Sequence, residues 1–156
     1  MKKKFLLALS TTKYSKEAID YAIDLTKQKE AELKVVFILD SDVPGSVFEK
    51  LTDIGFIGDR PSMDLQEAIS NEYVDQAKQV LVEIKDQSKD MGVECETFLE
   101  EGDFGSKCLE SIARFSADMI ILARSRRSFF SRMFFGSAVD SLLRQAPCEI
   151  KIFEEE

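Results

Sequence analysis

The residues best suited to chemistry lie between Ala123 and Ser137, in the segment ARSRRSFFSRMFFGS. An apolar stretch, Met119 to Ala123, precedes this segment and predicts a buried strand, and a predicted helix starts near Gly136 and Ser137. A helix N-terminus binds phosphate groups because it offers unpaired N–H groups and the positive end of the helix dipole. The position is therefore typical of a nucleotide site.

Cationic and aromatic side chains are concentrated in the same segment. Four of the seven arginines of the chain lie there, Arg126 among them, with two pairs of adjacent phenylalanines. The basic, aromatic set that could contact a partner is Arg124, Arg127, Phe129, Phe130 and Arg132. On a chain of net charge −8, a basic and aromatic loop indicates contact with a protein or another anionic partner, including a membrane surface. The alternative is a loop folded over its own pocket.

Length and composition describe one domain, residues 1–156. The chain is 44% hydrophobic and 32% charged, as soluble domains with a full core are. Its net charge of −8 argues against a nucleic-acid-binding protein. The chain has no histidine, so the commonest general base and metal ligand is missing. We therefore expect neither catalysis nor a metal site.

The start of the chain and the cysteines indicate a compartment. The start MKKKFLLAL is similar to a signal peptide, but its apolar part, Phe5 to Leu9, is too short and predicts a strand instead. No apolar run approaches the length of a transmembrane segment, so we expect a soluble, cytoplasmic protein. Cys95, Cys108 and Cys148 form no pairing motif and predict buried thiols in a reducing compartment.

Three continuously apolar segments predict central strands: Lys4 to Leu9, Leu33 to Leu39 and Met119 to Ala123. Continuous apolar character is typical of strands that are covered on both faces. Helical segments separate them, which predicts right-handed crossovers and a parallel sheet.

Two further segments alternate between apolar and polar residues. In Val93 to Leu99, we expect Phe98 to share the water-facing side with the glutamates, and Cys148 to Phe153 alternates similarly. Both segments therefore predict edge strands. The expected fold is a three-layer α/β/α structure with a five-stranded parallel sheet in the flavodoxin-like order 3-2-1-4-5.

Four helices are predicted between these strands. Ser15 begins the first, Gly92 ends the second, Asp103 caps the third, and the fourth ends before Pro147. A long connection, 40–63, joins the second strand to the second helix. It is either a lid or binding loop, or an insert that packs on its own domain.

The chain resembles the universal stress proteins of the UspA type over nearly its whole length. Their nucleotide-binding branch carries the pattern G-x2-G-x9-G-[ST] after the fourth strand, and this register here reads Ala123, Arg126, Gly136 and Ser137. The family's APCPV entry to the fifth strand appears here as QAPCEI. The spacing of the pattern is kept, and two of its glycines are lost.

The resemblance implies an ATP site at defined positions. Ser10 stands where the family has an aspartate that binds the ribose, and Ile38 stands where a small apolar residue contacts the adenine. Ala123 replaces the first glycine of the loop. Arg126 replaces the second glycine, where the bare backbone of the family approaches the phosphates.

Two interpretations of Arg126 remain. Its side chain either fills the space that the phosphates need or swings out to bind them as a bidentate ligand. The first is favoured because the aspartate is lost as well, and it makes Gly136 and Ser137 an ordinary helix cap. We then expect no cofactor. The alternative is ATP with Mg²⁺, held by Arg126, Arg127, Gly136 and Ser137.

The resemblance implies a non-catalytic regulatory or interaction module of the stress response. It also implies a homodimer formed through the fifth strand, by Cys148, Ile150 and Ile152. The alternative function is an ATP or AMP sensor, and an enzyme such as a slow ATPase ranks last.

Overall fold

Five parallel strands form the centre of the structure, a computed structural model that describes residues 2–10, 15–39, 63–125 and 144–155. The strands are β1 (Lys4–Ser10), β2 (Glu32–Leu39), β3 (Cys95–Glu101), β4 (Met119–Ser125) and β5 (Glu149–Glu155). They lie in the order β3-β2-β1-β4-β5, and every neighbouring pair is parallel. The predicted sheet and its flavodoxin-like order are confirmed.

Helices cover both faces of the sheet. Three long helices are described, α1 (Lys16–Gln28), α2 (Met63–Asp90) and α3 (Phe104–Phe115). α1 and α2 pack on one face and α3 packs on the other, so the sheet separates two hydrophobic cores. The three-layer prediction is confirmed. The connection 40–63 and the predicted fourth helix lie almost wholly outside the described residues.

The central strand β1 supplies both cores. Successive side chains of a strand point to opposite faces. Leu7 and Leu9 therefore join the core beneath α1 and α2, whereas Leu6 and Ala8 join the core beneath α3. Full burial of one leucine contributes roughly 1.5–3 kcal/mol, which is why the strand is continuously apolar.

The helix ends are held by the predicted residues. Ser15 Oγ accepts a hydrogen bond from the Ala18 N–H at 3.0 Å, and the Asp103 carboxylate accepts one from the Ser106 N–H at 2.9 Å. Gly92 follows α2 with a φ of 74°, a conformation that favours glycine. These local signals place the starts of α1 and α3 and the end of α2.

Strand boundaries differ from the prediction. β3 and β5 begin at Cys95 and Glu149 rather than at Val93 and Cys148. β4 continues through Ser125, two residues into the predicted loop, because its last two residues remain paired with the last two residues of β5. Backbone pairing does not depend on side-chain polarity, so the apolar pattern underestimates the length of β4.

Phe98 on β3 does not face water as predicted. Its ring centroid lies 4.7 Å from that of Phe115 on α3, and the Arg114 guanidinium lies 5.2 Å from the Phe98 ring. Aromatic and cation–π contacts of this kind stabilise a ring at the margin of a core. The outer part of α3 therefore covers this face of β3.

The prediction of three buried thiols is wrong for two of them. All three cysteines are free, but Cys108 alone is fully buried. Cys95 and Cys148 are half-buried; Cys95 begins the edge strand β3, and Cys148 directly precedes the edge strand β5.

α2 is longer than the strands it covers. Its 28 residues span about 42 Å, whereas a strand of seven or eight residues spans about 23–26 Å. From residue 71 onward, its fully buried side chains begin at Ala77. The first turns of α2 therefore extend past the carboxyl ends of the strands. No helix within the described ranges is both long and apolar enough to cross a membrane.

Candidate functional site

The carboxyl ends of β1, β2 and β4 bring three predicted site residues to one edge of the sheet. Ser10 ends β1 and pairs with Ile38 on β2. Ala8 pairs with Leu122 on the other side, so Ala123 is one residue beyond the last β1–β4 pair. The strand order reverses direction between β1 and β4, which is where α/β sheets bind ligands.

The three side chains at this edge are buried. Ser10 is 2% exposed, Ile38 is 0% exposed and Ala123 is 4% exposed. Ile38 packs in the core beneath α3 together with Phe104 and Cys108. Ala123 lies inside β4 and pairs with a residue of β5, rather than beginning a loop. The described part of this edge presents a neutral hydroxyl and two apolar side chains.

Carboxylates continue the edge beyond β2. Glu100 and Glu101 end β3, where they pair with Ile38 and Leu39. Arg114 forms an ion pair with Glu100 at 3.2 Å, while Asp103 caps α3. Asp103 has the capping role expected from the sequence, and the negative charge of Glu101 disfavours an anionic ligand on this side.

The other predicted site residues are not described by the structure. Arg126, Arg127, Gly136 and Ser137 lie outside the described ranges, as do the partner residues Phe129, Phe130 and Arg132. Arg124 belongs to β4, where its backbone pairs with that of Glu154. Among the described residues, no group of three or more histidine, cysteine or acidic side chains could hold a metal ion.

The outer edge of β5 is the predicted dimer surface. The Glu149 N–H donates to the Asp118 carbonyl at 3.4 Å, on the β4 side. Alternate residues of a strand direct their N–H groups to opposite sides, so those of Ile150 and Ile152 point away from β4. The side chains of Cys148, Ile150 and Ile152 are half-buried against the core beneath α3. Within the described ranges, β5 pairs with β4 alone.

A groove at the opposite edge of the sheet was not predicted. It has a volume of about 360 Å³ and lies between the end of α2 and the start of β3. Its lining residues are Lys85, Lys89, Gly92, Val93, Glu94 and Cys95. Two lysines one helical turn apart, followed by a glycine stop and a thiol at a strand start, are the sequence signal that could have revealed it.

Comparison with known proteins decides the family. The sequence profile of the universal stress protein family matches residues 1–153. The chain belongs to the universal stress protein family. It is 22% identical to universal stress protein MJ0531 of Methanocaldococcus jannaschii over 98% of this chain and 82% of that protein. It is 24% identical to universal stress protein Sll1388 of Synechocystis over 97% of each chain.

Solved structures of low sequence identity share the fold. A universal stress protein family member from Burkholderia pseudomallei has a TM-score of 0.67 and 19% identity, over 97% of this chain and 95% of that chain. An Arabidopsis thaliana family protein solved with AMP bound has a TM-score of 0.59 and 13% identity, over 99% and 92%. A universal stress protein from Archaeoglobus fulgidus, solved with dAMP, has a TM-score of 0.58 and 16% identity, over 96% of each chain.

Proposed function

We propose that this universal stress protein is a non-catalytic interaction module that acts as a homodimer and does not hold ATP. The observation that carries the proposal is Ser10, a neutral and buried residue at the end of β1. The sequence resemblance assigns this position to an aspartate that binds the ribose. A serine hydroxyl is shorter than an aspartate side chain and carries no charge, so its hydrogen bonds to a ribose are weaker than those of a carboxylate.

The surroundings of Ser10 support the same conclusion. Ile38, the residue at the adenine position, packs in the core beneath α3. Glu101 stands at the end of β3, paired with the neighbour of Ile38, and its negative charge disfavours a polyphosphate. Arg126, in the place of a loop glycine, adds a side chain where the resemblance requires bare backbone.

The interaction part of the proposal rests on two surfaces. The outward N–H groups of Ile150 and Ile152 suit antiparallel pairing with a second β5, which is a common way to cover a strand edge. The basic, aromatic set suits a protein or another anionic partner, and its members are Arg124, Arg127, Phe129, Phe130 and Arg132.

Calorimetry with ATP and Mg²⁺, and separately with AMP, tests whether the chain binds a nucleotide. We expect the full chain to bind neither with a Kd below about 1 mM. The double variant Ser10→Asp/Arg126→Gly should gain binding. Its matched control, Ser10→Asp/Arg144→Gly, removes an arginine outside the loop and should not. Micromolar binding by the unaltered chain that is lost in Arg126→Ala would overturn the proposal.

The second candidate function is an adenine nucleotide sensor. It is supported by the fold neighbours solved with AMP and dAMP and by a neighbour solved with cAMP. In this function, Arg126, Arg127, Gly136 and Ser137 hold the phosphates. The same calorimetry decides between the two functions, and ATP hydrolysis above background would point to an enzyme instead.

A further inference from the structure

The groove between α2 and β3 has the size and shape of a small-molecule site. Its volume of about 360 Å³ is at the lower end of the range of roughly 300–1,000 Å³ found for ligand pockets. Gly92 keeps one end open, because a Cβ built on it would meet no atom within 4 Å. The groove is at the amino edge of the sheet, so it is separate from the edge that carries Ser10.

The charge of the groove favours an anion. Lys85 and Lys89 line one wall, and neither forms an ion pair with any residue in the described part of the chain. Glu94 lies on the opposite wall, where Lys2 neutralises it at 3.4 Å. Lys34 nearby is paired with Glu96. Two lysine charges are therefore left to attract a ligand.

Cys95 also lines the groove, and its thiol lies beside the buried hydroxyl of Ser88. Ser88 is 0% exposed, and its hydroxyl oxygen forms no hydrogen bond with any residue in the described part of the chain. Burial raises the pKa of the Cys95 thiol above its ordinary value, and the charge of Glu96 acts in the same direction. The Ser88 hydroxyl and the charges of Lys85 and Lys34 act against burial and lower this pKa. A thiolate at this position would gain the Ser88 hydroxyl as a donor.

Cys148 provides a natural comparison within the same chain. Like Cys95, it is half-buried, and burial raises its pKa too. Its charged neighbours have the opposite sign, since Asp118 and Glu149 raise the pKa of the Cys148 thiol further. Cys108 is fully buried. Lysines therefore lie near Cys95, together with Glu96, whereas the charged groups that act on Cys148 are both acidic.

We propose that Cys95 is a modification site that exchanges with small disulfides bearing carboxylates, which Lys85 and Lys89 bind in the groove. The Cys95 thiol loses its proton to solvent, and the thiolate attacks one sulfur of the disulfide R–S–S–R. A Cys95–S–S–R bond forms and the R–S–S–R bond breaks. The leaving RS⁻ takes the electron pair and gains a proton from solvent. Cys95 is oxidised and the small disulfide is reduced.

The rate of modification by two disulfides of different charge tests the proposal. The probes are dithiobis(nitrobenzoate), which carries two carboxylates, and neutral dithiodipyridine. Cys148→Ser leaves Cys95 accessible, Cys95→Ser leaves Cys148 accessible, and mass spectrometry identifies the modified residue. At low ionic strength we expect the anionic-to-neutral rate ratio at Cys95 to exceed that at Cys148 by about tenfold. High salt should reduce this difference.

Substitutions distinguish binding of the anionic probe in the groove from a general effect of the protein's charge. In the Cys148→Ser background, Lys85→Gln/Lys89→Gln should bring the Cys95 ratio down to that of Cys148. The control Lys78→Gln removes an exposed lysine from the same helix and should leave the ratio unchanged. Ser88→Ala should move the pH–rate profile of Cys95 to higher pH, because the thiolate loses its donor. Equal ratios at the two thiols, or a ratio that survives loss of both lysines, would refute the proposal.

Discussion

At the residue scale, single side chains fix where helices begin. The Asp103 carboxylate caps α3 through the Ser106 N–H, and we predict that Asp103→Ala lowers the free energy of unfolding by about 1 kcal/mol. Asp103→Asn should retain most of this stability, since an amide oxygen accepts the same hydrogen bond. Urea denaturation measures both variants. Equal stability of the alanine and asparagine variants would contradict the capping role.

Lys34 and Glu96 give a residue-scale prediction on pH. Lys34 donates a hydrogen bond to Glu96 and lowers the pKa of that carboxyl below its ordinary value. A group with a lowered folded-state pKa stabilises the fold above its unfolded pKa, and this contribution is lost as pH falls through the folded value. The pair should therefore matter least in acid.

NMR titration of the Glu96 carboxyl checks this cause. Lys34→Met should raise the pKa of Glu96 toward its ordinary value, because it removes both the hydrogen bond and the nearest charge. Lys85→Met is the matched control, since Lys85 contributes through charge alone. A larger shift in the Lys85 variant would assign the effect to the general field of the lysines.

At the element scale, the backbone of β5 offers an experimental test of the proposed dimer. The N–H of Ile150 points away from β4, on the side of β5 that no described strand occupies. We predict that Ile150→Pro, which removes this N–H, shifts the protein from dimer to monomer in sedimentation velocity. Ile150→Ala truncates the side chain but keeps the N–H, and should remain dimeric. A dimer that persists in the proline variant would place the interface elsewhere.

The central strands could be predicted from the sequence, whereas the ends and the outer faces of the edge strands could not. β1, β2 and β4 are covered on both faces, so burial makes them continuously apolar. At an edge strand, alternation does not determine where pairing stops or what covers the outer face. Phe98 illustrates this, because its partner Phe115 lies on a helix that follows β3. The extra length of β4 likewise comes from pairing with β5, which no local pattern encodes.

The location of the candidate site could be predicted from the strand order, whereas the burial and packing of its side chains could be learned only from the structure. The β1–β4 reversal placed Ser10 at the expected edge, but its burial and the core role of Ile38 depend on packing. The Cys95 groove was missed for the opposite reason. Its residues are close in sequence, but whether they can attract an anion depends on which lysines remain without an ion pair after folding.

At the scale of the whole molecule, the sheet divides the interior into two cores. Ile84 belongs to the core beneath α1 and α2, and Ile112 belongs to the core beneath α3. We predict that Ile84→Val and Ile112→Val each cost roughly 0.5–1.5 kcal/mol. Their effects should add within about 0.5 kcal/mol in the double variant.

Denaturation of the single and double variants measures this additivity. The positive control is Asp20→Ala with Gln87→Ala, two residues joined by a hydrogen bond of 2.6 Å between α1 and α2. That pair should show coupling above about 0.5 kcal/mol. Strong coupling between Ile84 and Ile112 would mean that the sheet transmits strain from one core to the other.

Because α2 is longer than the strands, the carboxyl edge of the sheet is asymmetric. The helix contacts β2 and β3, and its first turns extend past the carboxyl ends of those strands. Its backbone hydrogen bonds are internal, so this projection stays regular without a sheet beneath it. A partner that docks at the ends of β2 and β3 would therefore share that side of the sheet with the first turns of α2.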